Sequence, residues 1–400
     1  MLMNWIDVVS AGPGNEDLLT AQARRTLDEA DAVFCADRTQ TLVGNPAVCR
    51  HLTPFSKALE DMETLRAEGL RVAVLLSGDA GLYSMLPLLS ERFGREALRV
   101  HPGVSSLQAF CARLGIPWQQ ARILSAHGKQ LTPSALCHTV RSGRMTLLLL
   151  DAEHNPRWIR QSLKDGGLEN ADITVGERIS YPDECIGPWE DREYDPLSVA
   201  LIENRTAGWT PRAFALPDDA FIRGKTPMTR REIRAQVAAE LNLIPDAVIW
   251  DIGAGTGSVT VECALQCPFG RVYAVERDPD ALKLIEENIR QFHLQNVDVV
   301  AGSAPKALEN LPAPTHVFLG GTGGYAAEIL ALLEKLDTPV RLCGTAVTLE
   351  SIRVFFDLLQ KKKNFSAVQI AVSRAELMGG YHMLRAQNPV FVFSADLCGE

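Results

Sequence analysis

A glycine-rich segment in the second half of the chain limits what that half can fold into. The run Asp251-Ile252-Gly253-Ala254-Gly255-Thr256-Gly257 follows the apolar stretch 247–251 and precedes a helical pattern that contains Val261, Ala264 and Leu265. Glycines in such a turn allow a ligand to approach the backbone closely, and the N-terminus of the next helix presents unpaired N–H groups. The segment therefore predicts a strand–turn–helix unit that binds a nucleotide-type ligand.

Apolar segments of strand length recur through the second half and alternate with helical patterns, which are clearest at 279–292 and 325–336. Such an alternation is typical of a sheet with helices on both faces. This half is therefore predicted to be an α/β domain with a seven-stranded, Rossmann-like sheet. Its strands are predicted at 247–251, 271–276, 296–301, 316–319, 340–345, 367–372 and 390–393.

The first half of the chain also predicts an α/β fold. A helix is expected after the first strand, because apolar residues from Leu18 to Leu27 recur at about helical spacing after Asp17 and Thr20. Segments of helical length separate apolar strands of the buried type. These strands are predicted at 6–10, 32–35, 72–76 and 146–150.

The length of the chain predicts two domains. A chain of 400 residues exceeds the size at which one hydrophobic core usually stops growing. Periodicity lapses between Asn204 and Thr226, where glycine, proline and aspartate accumulate. We therefore predict a first domain at 1–205, a linker at 206–216 and a second domain at 217–400.

Charge and hydropathy disfavour several classes of function. The formal net charge of -9 and the pI of about 5.5 argue against a nucleic-acid partner, which requires a clustered basic surface. No apolar run approaches the length of a membrane span, and residues 1–9 lack the pattern of a signal peptide. We therefore expect a cytoplasmic protein that binds neither nucleic acid nor a membrane.

The cysteines and histidines do not predict a metal site. The nine cysteines are scattered, and only Cys263 and Cys267 lie close together, at the spacing of one helical turn. No second pair of Cys or His residues has the spacing of a zinc site. We expect the two cysteines to pack within one helix, and we predict no metal.

Three residues around the glycine segment distinguish between nucleotide cofactors. The dinucleotide fingerprint requires a third glycine where this chain has Ser258, so an NAD-dependent oxidoreductase is the weaker alternative. Asp251 before the glycines, with Glu276 closing the next strand, resembles the donor-binding motifs of class I S-adenosylmethionine methyltransferases.

Longer motifs narrow the resemblance of the second half to the decarboxylating precorrin C15-methyltransferases. The resemblance covers about residues 217–398 and is carried by the segments 224–234, 302–305, 318–324, 379–383 and 388–390. It implies a methyl-donor site formed by the entry segment (residues 224–234), the glycine turn and the ends of the next two strands. The residues implied are Thr229, Gly253, Ala254, Gly255, Thr256, Gly257, Glu276, Ser303 and Ala304.

Two positions in these motifs leave alternatives open. Ser303 stands where the family often has an aspartate, so a hydrogen bond to the adenine of the donor is either lost or formed by the serine hydroxyl. The pair Gly320-Gly321 after the fourth strand either makes room for the edge of a large planar substrate or forms a tight turn.

The first half contains a different set of glycine motifs, which together resemble the tetrapyrrole (corrin/porphyrin) methylases over about residues 5–203. The motifs are the segments 12–14, 76–83, 101–108, 125–129 and 175–178. The resemblance implies two α/β lobes with the methyl donor between them. It implies donor contacts from Gly12, Pro13, Gly14, Gly78, Asp79 and Leu82.

Ala80 departs from that family, which has a proline directly after the Gly78-Asp79 pair. Proline fixes φ, so its loss is expected to soften this loop without removing a contact to the donor.

The order of the two halves is similar to the decarboxylating precorrin C5,15-methyltransferases of cobalamin biosynthesis. That resemblance implies methylation of precorrin-6Y, a tetrapyrrole, at C5 and C15, and loss of the C12 acetate carboxyl group as carbon dioxide, giving precorrin-8. It implies S-adenosylmethionine at two sites, one in each domain. A homo-oligomer is also expected. A non-catalytic sensor that binds the methyl donor or a tetrapyrrole without turnover is the second alternative to this function.

Arginines of the second half are candidates for binding the carboxylates of such a substrate. Arg230, Arg231 and Arg374 are selected, because a planar guanidinium group pairs with a carboxylate through two parallel hydrogen bonds. No catalytic side chain is assigned, because a ring carbon of the substrate is itself the nucleophile in such a methyl transfer.

Overall fold

The structure is a computed structural model, and it describes residues 5–127, 131–205, 215–336 and 338–397. Contacts between residues divide it into two units. The short segments Thr132–His138 and Asp165–Gly167 are grouped with the second unit, and the remaining residues up to Arg205 form the first. Most of the predicted linker, together with Gly128 and Lys129 of the first half's motifs, lies outside the described residues.

Ten strands and six helices occur in the described part of the first half. The strands are β1 (Ile6–Ser10), β2 (Ala32–Cys35), β3 (Cys49–His51), β4 (Val72–Leu76), β5 (Leu98–His101), β6 (Arg122–Ser125), β7 (Met145–Leu149), β8 (Asp172–Glu177), β9 (Cys185–Pro188) and β10 (Ser198–Glu203). The helices are α1 (Ala21–Asp28), α2 (Phe55–Ala67), α3 (Leu86–Phe93), α4 (Ser106–Leu114), α5 (Pro133–Ser142) and α6 (Pro156–Asp165).

These strands form two sheets of five strands each, so the prediction of two α/β lobes is confirmed. The first sheet is parallel throughout, in the order β3-β2-β4-β1-β5. The second sheet has the order β6-β7-β10-β8-β9, and only its β6–β7 pair is parallel. In the first sheet β1 lies beside β4, so the loops that follow these two strands leave the same edge.

The predicted strands of the first half agree with the structure to within one residue, but the first helix begins later than expected. Leu18 lies in a short 3-10 helix, Glu16–Leu18, and α1 starts after Thr20. The Thr20 hydroxyl accepts a hydrogen bond of 3.1 Å from the N–H of Ala23, which is the N-cap interaction that starts the helix. Local capping therefore overrides the apolar spacing that extends back to Leu18.

The second unit contains the predicted seven-stranded sheet and a separate hairpin. Its strands are β11 (Val248–Ile252), β12 (Arg271–Glu276), β13 (Val297–Ala301), β14 (His316–Leu319), β15 (Val340–Ala346), β16 (Lys363–Ile370), β17 (Ser373–Met378), β18 (Tyr381–Ala386) and β19 (Val390–Leu397). Its helices are α7 (Arg231–Leu241), α8 (Ser258–Gln266), α9 (Pro279–Gln291), α10 (Ala326–Leu333) and α11 (Leu349–Leu359). The sheet order is β13-β12-β11-β14-β15-β19-β16, and β17 and β18 form a separate two-stranded sheet.

The central strands of this sheet are buried on both faces. Trp250 of β11 packs in one apolar cluster with Phe355 of α11, whereas the adjacent Ile249 packs in another cluster with Val237 of α7. Because successive side chains of a strand point to opposite faces, helices must cover both sides of the sheet. The Rossmann-like architecture predicted from the sequence is confirmed.

Cys263 and Cys267 are buried packing residues, as predicted. Cys263 lies within α8 and Cys267 ends it, and both belong to the apolar cluster between α7, α8 and the sheet. Burial raises the pKa of the Cys267 thiol to about 12.

Within the described ranges, no group of three or more His, Cys, Asp or Glu side chains is arranged to hold a metal ion. In the same ranges, no helix has both the length and the apolar character needed to cross a bilayer.

Candidate functional sites

The first unit contains a cavity of about 350 Å³ at the edge of the parallel sheet where β1 and β4 end. All six residues that the sequence implicates in this unit line it: Gly12, Pro13, Gly14, Gly78, Asp79 and Leu82. They come from two loops that are far apart in sequence. The cavity forms because the parallel pairing of β1 with β4 brings both loops to one edge of the sheet.

The backbones of these two loops are joined directly. The N–H of Gly12 donates to the carbonyl of Gly78 at 3.1 Å, and the N–H of Gly78 donates back to the carbonyl of Gly12 at 2.8 Å. Both glycines have φ of +71°, a left-handed conformation that is costly for residues with a Cβ. Glycine is therefore required at both positions by the backbone itself.

The carboxylate of Asp79 binds backbone amides. Its Oδ1 accepts from the N–H of Gly81 at 2.8 Å, and its Oδ2 accepts from the N–H of Gly103 at 2.9 Å. Gly103 belongs to the loop after β5, the neighbour of β1 on its other side. Asp79 thus ties a third loop to the cavity wall, so its carboxylate orders the site.

Gly14 leaves room for an aromatic ring. A Cβ on Gly14 would lie 2.5 Å from the ring of Tyr181, which also lines the cavity. The guanidinium carbon of Arg178 lies 4.8 Å from the centre of the same ring. A side chain at position 14 would therefore displace Tyr181 from the cavity wall.

Sequence reasoning missed Arg38 and Tyr181, which also line this cavity, and it did not single out Tyr83 and His127 within the motif segments 76–83 and 125–129. The Arg38 guanidinium donates to the uncharged hydroxyl of Ser77, with the shorter of its two hydrogen bonds at 3.0 Å. Arg38 follows β2, which lies beside β4 in the same parallel sheet. A predicted strand order would have been needed to find it, and no local motif marks it.

The second unit presents its glycine turn between β11 and α8. Gly253, Gly255 and Gly257 have φ values of +73°, +58° and +75°, and Gly257 is the N-cap of α8. A Cβ on Gly253 would lie 2.4 Å from the carbonyl oxygen of Gly321. A Cβ on Gly320 would in turn lie 2.9 Å from the carbonyl oxygen of Gly253. Glycine at 253 and 320 therefore lets the two loops pack together, which supports the interpretation of Gly320-Gly321 as a tight turn.

Glu276 joins the glycine turn to the end of β12. Its Oε2 accepts a hydrogen bond of 2.9 Å from the N–H of Gly255. Its Oε1 accepts from the N–H groups of Arg277 and Asp278, at 2.7 Å and 3.0 Å. Since a carboxylate oxygen has more than one acceptor position, Oε2 keeps capacity for a ligand hydroxyl.

Two buried polar atoms in the glycine turn lack a partner among the described residues. The Oδ2 of Asp251 accepts from the Thr260 hydroxyl, but the Oδ1 of Asp251 and the Oγ of Thr256 make no hydrogen bond. Burial raises the pKa of Asp251 to about 7, and the hydrogen bond from Thr260 acts in the opposite direction. Unsatisfied buried polar groups are rare, so these two fit a ligand with polar groups of its own.

The remaining residues implicated in this site surround the turn. The Pro227 carbonyl of the entry segment lies 3.5 Å from the Cβ position of Gly255, and Thr229 is half-buried two residues further on. After β13, the N–H of Gly302 donates to the Glu276 carbonyl at 2.8 Å. Next to Gly302, Ser303 is exposed and Ala304 is half-buried. Ala254 and Thr256 lie within the turn itself.

The three candidate arginines differ in their surroundings. Arg230 and Arg231 are exposed at the start of α7. The Nη2 of Arg374 already donates to Glu232 at 2.8 Å and to Asp218 at 3.2 Å, whereas its Nε is buried without a partner among the described residues. Arg374 therefore has only part of its guanidinium available for a substrate.

A buried arginine that sequence reasoning missed organises the entry segment. Arg234 donates to Asp218 at 2.9 Å and to Glu262 at 3.2 Å, and also to the carbonyls of Leu216 and Thr229. Its side chain is fully buried. Because an unpaired buried charge is costly, this network fixes the segment beside the glycine turn. A lone arginine in a helix gives no sequence signal for that role.

Two protein-family models match the chain. The model of the tetrapyrrole (corrin/porphyrin) methylases matches residues 6–190, and the model of the precorrin methyltransferase domain matches residues 219–396. The two matches together include both sites described above.

Individual relatives agree with these matches. A relative from Sinorhizobium sp, named precorrin-6Y C5,15-methyltransferase (decarboxylating), is 28% identical over 401 residues, covering 98% of this chain and 96% of the relative. A cobalt-precorrin-6B C15-methyltransferase (decarboxylating) from Salmonella typhimurium is 34% identical over 183 residues, covering 45% of this chain and 94% of the relative. A crystal structure of precorrin-6Y C5,15-methyltransferase from Geobacter metallireducens GS-15 is 33% identical, with a TM-score of 0.43, and covers 47% of this chain and 98% of that chain.

Proposed function

Because the chain belongs to the family of decarboxylating precorrin methyltransferases, we propose that it methylates precorrin-6Y at C5 and C15 and decarboxylates the C12 acetate, giving precorrin-8. The observation that carries this proposal is the presence of both family domains in one chain, in the same order as in a relative matched over nearly its whole length. The substrate is accordingly a tetrapyrrole, and the pathway is cobalamin biosynthesis.

The methyl donor of this family is S-adenosylmethionine, and we propose two donor sites, one in each unit. When bound, the donor supplies an electrophilic methyl group on a sulfonium. The chain's own residues then have to hold the donor, orient the substrate and keep water away from the reacting carbons. Two unlike glycine turns, each next to polar groups that suit a nucleotide-type ligand, support the assignment of two sites.

In the first unit, the proposed donor site is the cavity between the loops after β1 and β4. The cavity's volume and the backbone amides around it suit an adenosyl ligand. The residues proposed to contact the donor are Gly12, Pro13, Gly14, Gly78, Asp79 and Leu82. Asp79 is proposed to order the loops, because each of its oxygens accepts one backbone N–H group, and each oxygen keeps an acceptor position for the donor.

In the second unit, Glu276 is proposed to accept the ribose hydroxyls, since it is half-buried beside the glycine turn. The unpartnered atoms of Asp251 and Thr256 support a polar ligand next to this turn. The other proposed donor contacts are Thr229, Gly253, Ala254, Gly255, Gly257, Ser303 and Ala304.

Substrate carboxylates are proposed to pair with exposed or partly free arginines. Arg230 and Arg231 are the candidates in the second unit, and Arg374 is a candidate through the part of its guanidinium that does not bind Glu232 and Asp218. In the first unit we add Arg38, since its guanidinium lines the cavity and has a neutral partner in Ser77. A guanidinium bound to a neutral hydroxyl remains available to a carboxylate.

A homo-oligomer remains part of the proposal, and the β17–β18 hairpin supports it. Both strands are largely exposed, yet they carry large apolar side chains: Leu377, Tyr381 and Leu384 are 68%, 79% and 76% exposed. Contiguous exposed apolar groups mark interaction surfaces, and a second copy of the chain is the proposed partner. Sedimentation of the Leu384→Asp variant should show a smaller species than the wild type.

A cytoplasmic location stays a prediction.

Mass spectrometry of the product tests the function. The purified full chain is incubated with precorrin-6Y and donor carrying a labelled methyl group. The expected product has gained two labelled methyl groups and lost one carbon dioxide. An unchanged substrate with bound donor would favour the sensor, and quenching of nicotinamide fluorescence would favour the oxidoreductase. Either result would contradict the proposal.

A further inference from the structure

Ala80 lies in the loop after β4, the donor loop (residues 77–85), at a position that is well suited to proline. The N–H of Leu82 donates to the carbonyl of Asp79 at 3.1 Å, so residues 79–82 form a β-turn with Ala80 second. Proline is favoured at that position of a turn because its ring pre-sets φ. Alanine leaves φ free and adds an N–H group, which is buried here because Ala80 is fully buried.

The N–H of Ala80 donates to the hydroxyl oxygen of Ser10 at 2.8 Å. Ser10 is the last residue of β1 and is fully buried. Its hydroxyl in turn donates to the carbonyl of His101 at 2.7 Å. The Ser10 hydroxyl therefore uses its donor and one acceptor position to join the loop after β4 to the end of β5.

The side chain of Ser10 is also confined by packing. A Cβ placed on Gly103 would lie 2.5 Å from the Cβ of Ser10, so the backbone after β5 presses against this side chain. The same Gly103 donates to Asp79 within the turn. Ser10 consequently sits between the two backbone segments that define the turn 79–82.

We propose that Ser10 is a positioning residue for the donor loop, and that its hydrogen bond to Ala80 replaces the restraint of a proline. Serine at 10 and proline at 80 are then mutually exclusive in this chain. The ring carbon of a proline at 80 would occupy the path of the hydrogen bond to Ser10 and meet its hydroxyl oxygen. The Ser10 hydroxyl would thus restrain the loop that the absence of proline was expected to soften.

This inference rests on the proposed function, because Gly78 and Asp79 matter here as donor contacts. Three variants of the full chain test the role of Ser10: Ser10→Ala, Ala80→Pro and the double variant. Ser10→Ala leaves the Ala80 N–H buried without a partner, which weakens donor binding about tenfold. Ala80→Pro alone creates the clash with Ser10. The double variant removes the hydroxyl and the N–H together and should recover donor affinity to within about twofold of the wild type.

Hydrogen exchange followed by mass spectrometry gives the readout. Exchange of the peptide spanning 77–84 is measured without ligand and during a titration with S-adenosylhomocysteine, so donor affinity is read at this loop alone. Ser10→Ala should exchange faster without ligand, and the double variant should not. In turnover, Ser10→Ala should raise KM for the donor in C5 methylation about tenfold and leave kcat nearly unchanged. Ser56→Ala, at an exposed serine of α2, is the control.

Three outcomes would overturn the inference: wild-type exchange and affinity in Ser10→Ala, unimpaired binding in Ala80→Pro, or a double variant no better than the worse single one. If Ser10→Ala does not fold, a folded double variant supports the inference and an unfolded one contradicts it. A wild-type loop that gains no protection from S-adenosylhomocysteine would instead contradict the proposed donor site, while the ligand-free exchange of the variants still tests the role of Ser10.

Discussion

The carboxylate of Glu276, at the end of β12, accepts a hydrogen bond of 2.9 Å from the backbone N–H of Gly255 in the turn after the neighbouring strand β11. Two parallel strands are thus joined at the edge where the proposed donor site of the second unit lies. The same contact gives a carboxylate acceptor to the N–H of Gly255, whereas the N–H groups of Gly253 and Ala254 donate to the Val275 carbonyl.

Replacing Glu276 by glutamine is expected to weaken donor binding in the second unit about tenfold, since charge-assisted hydrogen bonds are lost and the amide NH₂ faces backbone N–H groups. C15 methylation should fall, and C5 methylation should stay within about twofold of the wild type. Product analysis by mass spectrometry measures both. Glu286→Gln, at an exposed position of α9, is the control. Equal loss of both methylations would contradict two separate donor sites.

Gly255→Arg is expected to abolish C15 methylation and leave C5 methylation of a suitable substrate. Gly255 has φ of +58°, and its Cβ position lies 3.5 Å from the Pro227 carbonyl, so a large side chain is both strained and obstructed. Calorimetry with S-adenosylhomocysteine should change from two sites per chain to one. A wild-type chain that binds a single donor molecule would refute the two-site proposal.

Gly14→Ala should affect the first unit alone. The added methyl group would lie 2.5 Å from the ring of Tyr181, and φ of +123° at this position already disfavours alanine. We expect C5 methylation to fall at least about tenfold, with C15 methylation retained. Gly187→Ala in β9 is the matched control, because its Cβ position has no neighbour within 4 Å. Full C5 activity in Gly14→Ala would show that this turn tolerates displacement of Tyr181.

Arg38→Gln should raise KM for the tetrapyrrole in C5 methylation and leave donor affinity unchanged. The reason is that the Arg38 guanidinium lines the cavity and, within the described ranges, has a hydrogen-bond partner only in the neutral Ser77. A hydrogen bond to a charged partner contributes about 1.5–3 kcal/mol, which corresponds to roughly tenfold or more in KM. Arg95→Gln removes the same charge at an exposed site of this unit. Equal KM values for the two variants would exclude Arg38 from substrate binding.

The pH dependence of stability should carry a contribution from Asp251. Burial raises its pKa from 3.8 to about 7 in the folded chain. The folded state therefore holds a proton that the unfolded state releases, so stability falls as pH rises from about 4 to about 7 and levels off above that. The full effect is at most roughly 4 kcal/mol. Calorimetric unfolding should show that the stability of the wild type falls relative to that of Asp251→Asn over this pH window. A difference in stability that does not change with pH would contradict the raised pKa.

Local patterns in the sequence were sufficient for the fold class and for the residues of both glycine turns. Strand periodicity located β1, β2 and β4 without error, because buried parallel strands are continuous apolar runs. The boundary of α1 was missed, because the capping hydroxyl of Thr20 decides it. The hydrogen-bonded loops at Gly12 and Gly78 are a different case, since each glycine is visible in the sequence but their pairing is not.

Contacts between distant residues were decided only when the chain folded. The Ser10 hydroxyl and the Ala80 N–H are 70 positions apart, and Arg374 reaches Asp218 across 156. Periodicity and turn chemistry depend on a few neighbouring residues, so the amino-acid order alone specified two α/β domains with glycine turns. Which loop meets which depends on the order of strands in each sheet. That order brings the Gly103 N–H to the Asp79 carboxylate and the Ala80 N–H to the Ser10 hydroxyl. It also places Arg38 in the wall of the cavity.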